Sequence, residues 1–296
     1  MEVLVPIEVT DTVLKSSSVA EDPTPAWVAG TYAIGYQCHL VSTHRVYERT
    51  VATASAVAPN LDPTGWKDLH ATNRWAMFDQ AMDTVTRANN TLTVVLQPGY
   101  HNALAILGIE GGSLLHVVER DAPGGNIVRE YSDNLEESQP ADWWEYYFMP
   151  FKPRTGVLVA DIEPFYNAEV TVTLSGQGVV GIAMLAVGDL RPLGDTTFDS
   201  EAIPVDYSYV DIDAYGNNTI LKGKTAKDLA VTVEFDAREA NRVTDTVHEL
   251  LGRPCLWVSN RRDQYRYLWS FGLGSGKVRP KDAKTCVLPL QVKGLI

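Results

Sequence analysis

Positive charge is scarce in this chain. It holds 25 Lys and Arg against 37 Asp and Glu, for a formal net charge of −12 and a pI near 4.9. A nucleic-acid surface needs clustered cations to displace condensed counterions, and an anionic membrane surface needs them too. Neither partner is expected. Cysteine is scarcer still. Cys38, Cys255 and Cys286 are far apart and odd in number, with no Cys-x-x-Cys or Cys/His zinc spacing. This argues against a disulfide scaffold and a structural zinc, and it suits reduced thiols in a chain made and folded in a cytoplasm. No apolar run approaches the ~18 residues that a membrane span needs. The opening Met1–Pro6 has neither a basic stretch nor a long apolar one, so no export signal is expected.

Catalytic patterns are also missing. The six histidines, His39, His44, His70, His101, His116 and His248, form no HExxH or HxH pair. His39 and His44 flank an expected turn, and solvated side chains are the ordinary reading for both. Gly272-Leu273-Gly274-Ser275-Gly276-Lys277 imitates a phosphate loop. However, Phe271 stands where the leading glycine should be, and Val278 stands where a hydroxyl should hold magnesium. Ser275 is no nucleophile elbow, because Leu273 takes the leading glycine position. Asp142 and Glu145 are acids set among aromatics, yet a glycosidase needs two carboxyls facing across a cleft. No catalytic residue, metal or cofactor is expected.

What is present is β-patterning and aromatic rings. With 296 residues and 45% hydrophobic content, the chain can bury sizeable cores in about two or three domains. Val3, Val5, Ile7 and Val9 alternate, which predicts an edge or docking strand followed by a polar linker to residue 25. Residues 26–80 hold an aromatic-rich β module and a junction. Trp27, Gly30, Tyr32, Gly35, Tyr47 and Trp66 recur at short spacing, so rings supply a core too small for aliphatics. The module closes on Asn73-Arg74-Trp75-Ala76-Met77-Phe78-Asp79-Gln80. There Trp75, Met77 and Phe78 can bury against two neighbours or serve as core of one, while Arg74 and Asp79 can fix an angle.

Residues 81–192 read as an antiparallel β-sandwich or jelly roll, with turn signals every eight to twelve residues. Strands are expected at 91–96, 103–109, 114–119, 127–131, 156–161, 168–175 and 179–187. Gly111-Gly112 should close one of them. The run Trp143-Trp144-Glu145-Tyr146-Tyr147-Phe148 is expected as a further strand with one face used for contact. Residues 193–296 read as an α+β domain: strands at 207–212 and 219–224 joined by a turn at 214–218, another at 229–235, one helix near 237–251, then strands at 255–258, 265–273 and 285–292. Ala240, Val243, Val247, Leu250 and Leu251 form the helix's apolar stripe. Asp236 and Glu239 suggest a capping box, and Gly252 and Pro254 end the helix. Gly272–Lys277 is expected as a hairpin tip, and Pro289 marks its strand as an edge.

Two resemblances follow from these residues. Trp27, Tyr32, Gly35, Val46-Tyr47, Pro59 or Pro63, and Trp66 resemble the pattern of small chitin-binding-type carbohydrate-binding modules. That implies sugar stacking on exposed rings among Trp27, Tyr32, Tyr47 and Trp66, although a connector unit would use the same rings as core. The whole chain resembles a family of virion structural proteins of tailed bacteriophages. The carrying stretches are Pro25–Tyr32, His44–Glu48, Thr72–Asp79, Asn102–Leu107, Asp142–Tyr146, Pro254–Val258 and Val287–Leu295. The resemblance implies a non-enzymatic tail or baseplate component, present in many copies as a homo-oligomer within the virion and docked on neighbouring tail proteins. The alternative it leaves is recognition of host-surface glycan through rings that include Trp143 and Trp144.

Overall fold

The structure is a computed structural model that describes residues 1–135, 142–148, 153–212 and 217–295. It is mainly β and antiparallel. A 14-stranded sheet runs through most of the chain. Its backbone is a pair of long strands, Ala103–Arg120 and Glu169–Pro192, which pair along most of their length.

These two strands fold over on themselves, which makes the sandwich. Gly111 and Gly112 do not end a strand, as the sequence suggests, but bend one. Gly111 has φ +62°, and a Cβ placed on it would lie 2.2 Å from the Val179 carbonyl oxygen. A Cβ on the facing Gly176 would lie 2.2 Å from the Gly111 carbonyl oxygen. The two backbones touch at a shared corner, and only glycine permits that approach. Before the corner, Ala103–Leu107 pairs with Gly156–Val159 and with the second half of Glu169–Pro192. Beyond it, 112–120 pairs with Ile127–Asn134 and with 169–176, which in turn pairs with Thr86–Leu96 and so reaches Leu14–Ser17. The interior between the two layers is filled by buried aliphatics, among them Leu92, Val94, Leu104, Ile106, Leu115, Val172, Leu174 and Val187.

The N-terminal strand is not an edge. Glu2–Pro6 lies between Gly188–Pro192 and Cys255–Val258 and hydrogen-bonds to both. It therefore carries the sandwich sheet on into the C-terminal region, where Trp269–Gly276, Thr285–Gly294, Thr225–Asp236 and Glu201–Asp206 follow in order. Val3 and Leu4 are fully buried on opposite faces. Val3 joins the core beneath the helix, and Leu4 joins a third core made with Ala103, Ala105, Met184, Leu256 and Phe271.

The helix Ala240–Glu249 packs Val243, Val247 and Leu250 onto that sheet, with Thr246 buried beside them. Leu251, expected on the stripe, is exposed. Asp236 accepts the Arg238 amide at 2.8 Å, whereas Glu239 turns to Arg242 at 2.6 Å, so the reciprocal half of the capping box is replaced by an ion pair. Thr285–Gly294 is also not an edge, since strands flank it on both sides. Pro289 sits opposite the break between Gly276 and Arg279. Its carbonyl faces Gly276, so its missing N–H falls where no ladder partner waits. The supposed glycine-rich tip is mostly strand, and Gly274 lies flat on the Trp257 ring. No helix among the described residues is long and apolar enough to cross a membrane.

Residues 26–71 build a separate small core. Gln37–Leu40, Arg45–Arg49 and Trp66–Ala71 form a three-stranded antiparallel sheet, with Cys38, Leu40, Tyr47 and Trp66 buried against Trp27, Tyr32 and Tyr36.

Candidate functional site

Within the small module the rings are spent on folding. Trp66 is 2% exposed and Tyr47 is buried as well, so neither offers a face to a sugar. Trp66 donates its indole N–H to Ser55 Oγ at 3.2 Å and meets Tyr32 edge-on at 5.2 Å. Trp27 and Tyr32 are half-buried. The hub that sequence reasoning misses is Arg49. Its buried guanidinium lies 5.1 Å from the Trp66 ring centre and donates to the carbonyls of Val51, Thr53 and Gly65 and to Thr53 Oγ1. Asp62 sits beside it at 3.4 Å. Hydrogen bonds from Thr64 and the Gly65 amide, aided by Arg49, hold the Asp62 carboxyl below the usual range. Arg49 follows Tyr47 at period two, and that spacing was the available signal.

The junction stretch serves both neighbours at once. Trp75 and Met77 are buried in the sandwich core, with Phe78 packed against it. On its other side Trp75 stacks on His44 of the module, with ring centres 3.8 Å apart and planes 10° apart. His44 in turn reaches Asp11 of the N-terminal segment at 3.2 Å. The polar groups that tie the parts differ from those expected. Asn73 forms a two-way bond with Arg87, accepting its amide at 2.8 Å and donating to its carbonyl at 3.0 Å. Asp79 instead secures its own turn through the Ala81 amide and the Thr84 hydroxyl, and burial pushes its carboxyl upward. Arg74 Nε has no acceptor among the described residues. A cleft of about 500 Å³ lies here, lined in part by Asp11, Thr43, His44, Trp75, Phe78 and Asp79.

Trp143–Phe148 is a short helix rather than a strand. Asp142 Oδ1 accepts the Glu145 amide at 2.8 Å, which caps its first turn. Trp143 and Trp144 are 77% and 69% exposed, and Tyr146, Tyr147 and Phe148 are exposed as well. Trp143 and Tyr146 meet edge-on at 6.0 Å, and Tyr146 and Tyr147 edge-on at 5.3 Å.

A second uncovered apolar surface is a hairpin arm. Among the described residues, Tyr209–Ile212 and Asn218–Leu221 pair only with each other. The turn expected at 214–218 lies largely outside the described residues. Opposed pairs place Tyr209 with Leu221 on one face and Val210 with Ile220 on the other. All four are exposed, together with Ile212. A ribbon in water normally hides one face, and this one hides neither.

His39 and His44 do not converge as metal ligands. His39 Nδ1 bonds the Thr24 carbonyl at 2.6 Å, while His44 turns to Asp11. The most perturbed pair lies elsewhere, at the end of the sandwich. His101 Nδ1 donates to the Gly99 carbonyl at 2.9 Å, which leaves Nε2 facing Glu119 Oε1 at 3.4 Å. Both side chains are buried, and neither Glu119 oxygen has a hydrogen bond among the described residues. Burial pushes the Glu119 carboxyl up to about 7 and lowers His101. The consistent state is a neutral acid beside a neutral imidazole.

No protein-family model matches the chain, and no curated protein matches it.

Proposed function

We propose that this chain is a non-enzymatic structural component of a bacteriophage tail or baseplate, built into the virion in several copies and docked on neighbouring tail proteins. The observation that carries this reading is the hairpin of Tyr209–Ile212 and Asn218–Leu221, with apolar side chains on both faces and outer edges that pair with no other strand among the described residues. Such a ribbon gains stability and loses its aggregation hazard only when a partner covers it. The aromatic helix 143–148 is a second surface of the same kind. The in-order likeness to tail proteins supplies the class of assembly. Light scattering on the purified chain, alone and with its neighbouring virion proteins, tests the reading. The expected result is a closed oligomer or a complex formed with those proteins. A monomer that ignores them and is missing from purified particles overturns it.

The exposure of Trp143 and Trp144 supports a second role, stacking on host-surface glycan. Single-site affinity of that kind is weak and rises with copy number. Trp144→Ala should then lower cell or glycan-array binding without altering the melting temperature, and unchanged binding removes this role. Trp66→Ala is no substitute for that test. It empties the module core at a cost of about 3–5 kcal/mol and unfolds what it was meant to probe.

A further inference from the structure

The loops around His101 also shape an open pocket. It holds about 280 Å³, and its lining includes Thr12, Lys15, Gln97, Gly99, Tyr166 and Asn167. Three segments far apart in the chain meet there: the approach to Leu14–Ser17, the loop after Thr86–Leu96 and the loop before Glu169–Pro192. Loops carried by a rigid sandwich are where binding residues gather. This lining combines an open ring with uncommitted polar groups. Tyr166 is 71% exposed, and Tyr100, itself exposed, meets it with ring centres 5.6 Å apart and planes 60° apart. Lys15, Gln97 and Asn167 make no side-chain hydrogen bond or ion pair with the described residues. Lys15 is the extra residue of a β-bulge, since Leu14 opposes Leu96 and Ser16 opposes Val95. A bulge re-aims the side chain it carries, and this one joins the pocket.

The pocket is held in shape from beneath. The Gln97 amide donates to the Val13 carbonyl at 2.8 Å, and the Ile162 amide donates to the Asn102 carbonyl at 3.0 Å. His101 Nδ1 holds the Gly99 carbonyl at 2.9 Å, where the backbone takes φ +78°. That last tie comes at a cost, because it buries an imidazole beside a carboxyl that has no hydrogen bond among the described residues. Departures from local stability rules of this kind are expected where a fold serves a site. A pocket already in shape loses little freedom when it binds.

We propose that this pocket binds a saccharide ring, with a C–H face of the sugar on Tyr166 and its hydroxyls on Gln97, Asn167 and Lys15. The chemistry of the lining selects that class. The tyrosine ring takes the apolar face of the sugar. Side-chain amides donate and accept at once, as sugar hydroxyls do. A wholly apolar ligand would leave those amides unpaired. The volume falls near the lower bound of small-molecule sites, about 300 Å³, and suits a single ring. The site stands apart from the assembly reading and shares no residue with the rings at 143–148.

The test presents the full chain on beads, so that many copies raise weak affinity, to an array of immobilised oligosaccharides and bacterial surface polysaccharides. The wild type should bind a subset of the array. Tyr166→Ala should lower that binding about tenfold, and Asn167→Ala severalfold. Both variants should keep the wild-type melting temperature, because both side chains are exposed. Tyr166→Phe should bind as the wild type does, since the stack uses the ring and not its hydroxyl. A wild type that binds nothing on the array overturns the proposal. Undiminished binding by Tyr166→Ala also overturns it, and a loss confined to Trp144→Ala then assigns the glycan to the rings at 143–148. A phenylalanine variant as weak as the alanine one overturns the stacking. A chain that is monomeric and absent from particles overturns the assembly reading and leaves this site standing.

Discussion

A carboxyl group buried without hydrogen bonds keeps its proton at pH values where an exposed one has lost it, and Glu119 is in that position. Its surroundings hold Arg129, which favours the anion, and Glu163, which opposes it; burial outweighs both. Because its folded pKa is pushed up to about 7, Glu119 binds its proton more tightly in the fold than in the unfolded chain. That contribution is complete below the ordinary carboxylate range and is lost as pH rises through about 7. His101 works from the other side. Its lowered pKa means that the unfolded chain takes up a proton first as pH falls below the usual histidine range, so stability also drops there. Between about pH 5 and about pH 8 Glu119 should contribute a loss on the order of 3 kcal/mol, partly offset by the stability His101 regains over the same interval, so it is read in urea unfolding as the difference between wild type and Glu119→Gln. Glu119→Gln should remove the fall and leave the opposite dependence of His101, and an equal slope in the variant would remove Glu119 as its source. None of this is legible in the sequence. Glu119 sits one residue from the end of a strand, where acids are ordinarily solvated, and His101 lies in a loop. Only the pairing of the two long strands closes the end of the sandwich over both.

At the scale of single elements, the difference between legible and illegible follows from where the information lies. Hairpin strands and the helix 240–249 were legible because period and turn residues are local. Val243, Val247 and Leu250 fall on one helical face whatever packs against them. The aromatic run 143–148 was misread as a strand because rings favour strands in general. The Asp142 cap that makes it helical is one residue among many acids. Glycines misled twice for a shared reason. At Gly111 and in Gly272–Gly276 they mark close backbone or ring approach within strands, not chain turns. Gly274 is the sharper case. A Cβ there would sit 2.1 Å from Cζ2 of Trp257, a fully buried ring whose N–H is already committed to the Gly272 carbonyl at 3.0 Å. The ring has no room to retreat, so Gly274→Ala should cost about 1–3 kcal/mol as overpacking. Differential scanning calorimetry checks it, and an unchanged melting temperature would mean that the sheet yields where the geometry says it cannot.

Across the whole molecule, the first strand decides whether the sandwich and the C-terminal region are two folding units or one. The sequence suggests separate domains meeting near residue 193, since composition and element type change there. The pairing of Glu2–Pro6 was hidden, because five residues cannot reveal that their neighbours lie near 190 and 257. Once placed, the strand supplies ladder bonds to both regions. It also supplies two buried side chains on opposite faces, Val3 toward the helix-side core and Leu4 toward the core shared by both regions. The Met1 nitrogen adds a tie, donating to the Gly194 carbonyl at 2.5 Å. Glu2 accepts from Nε and Nη2 of Arg261, whose Nη1 grips Asp161 of the sandwich region. Removing Leu4 therefore withdraws packing from both regions at once. Leu4→Ala should cost about 2–5 kcal/mol, the range for a fully buried leucine. It should shift a single transition rather than split it. The check is unfolding followed by two probes, near-ultraviolet circular dichroism and calorimetric enthalpy against van't Hoff enthalpy. Coincident transitions in the wild type and the variant mean that the chain folds as one cooperative sheet. If the two probes separate in the wild type, the strand is a seam between independent domains and Leu4 packs against only one of them in energetic terms.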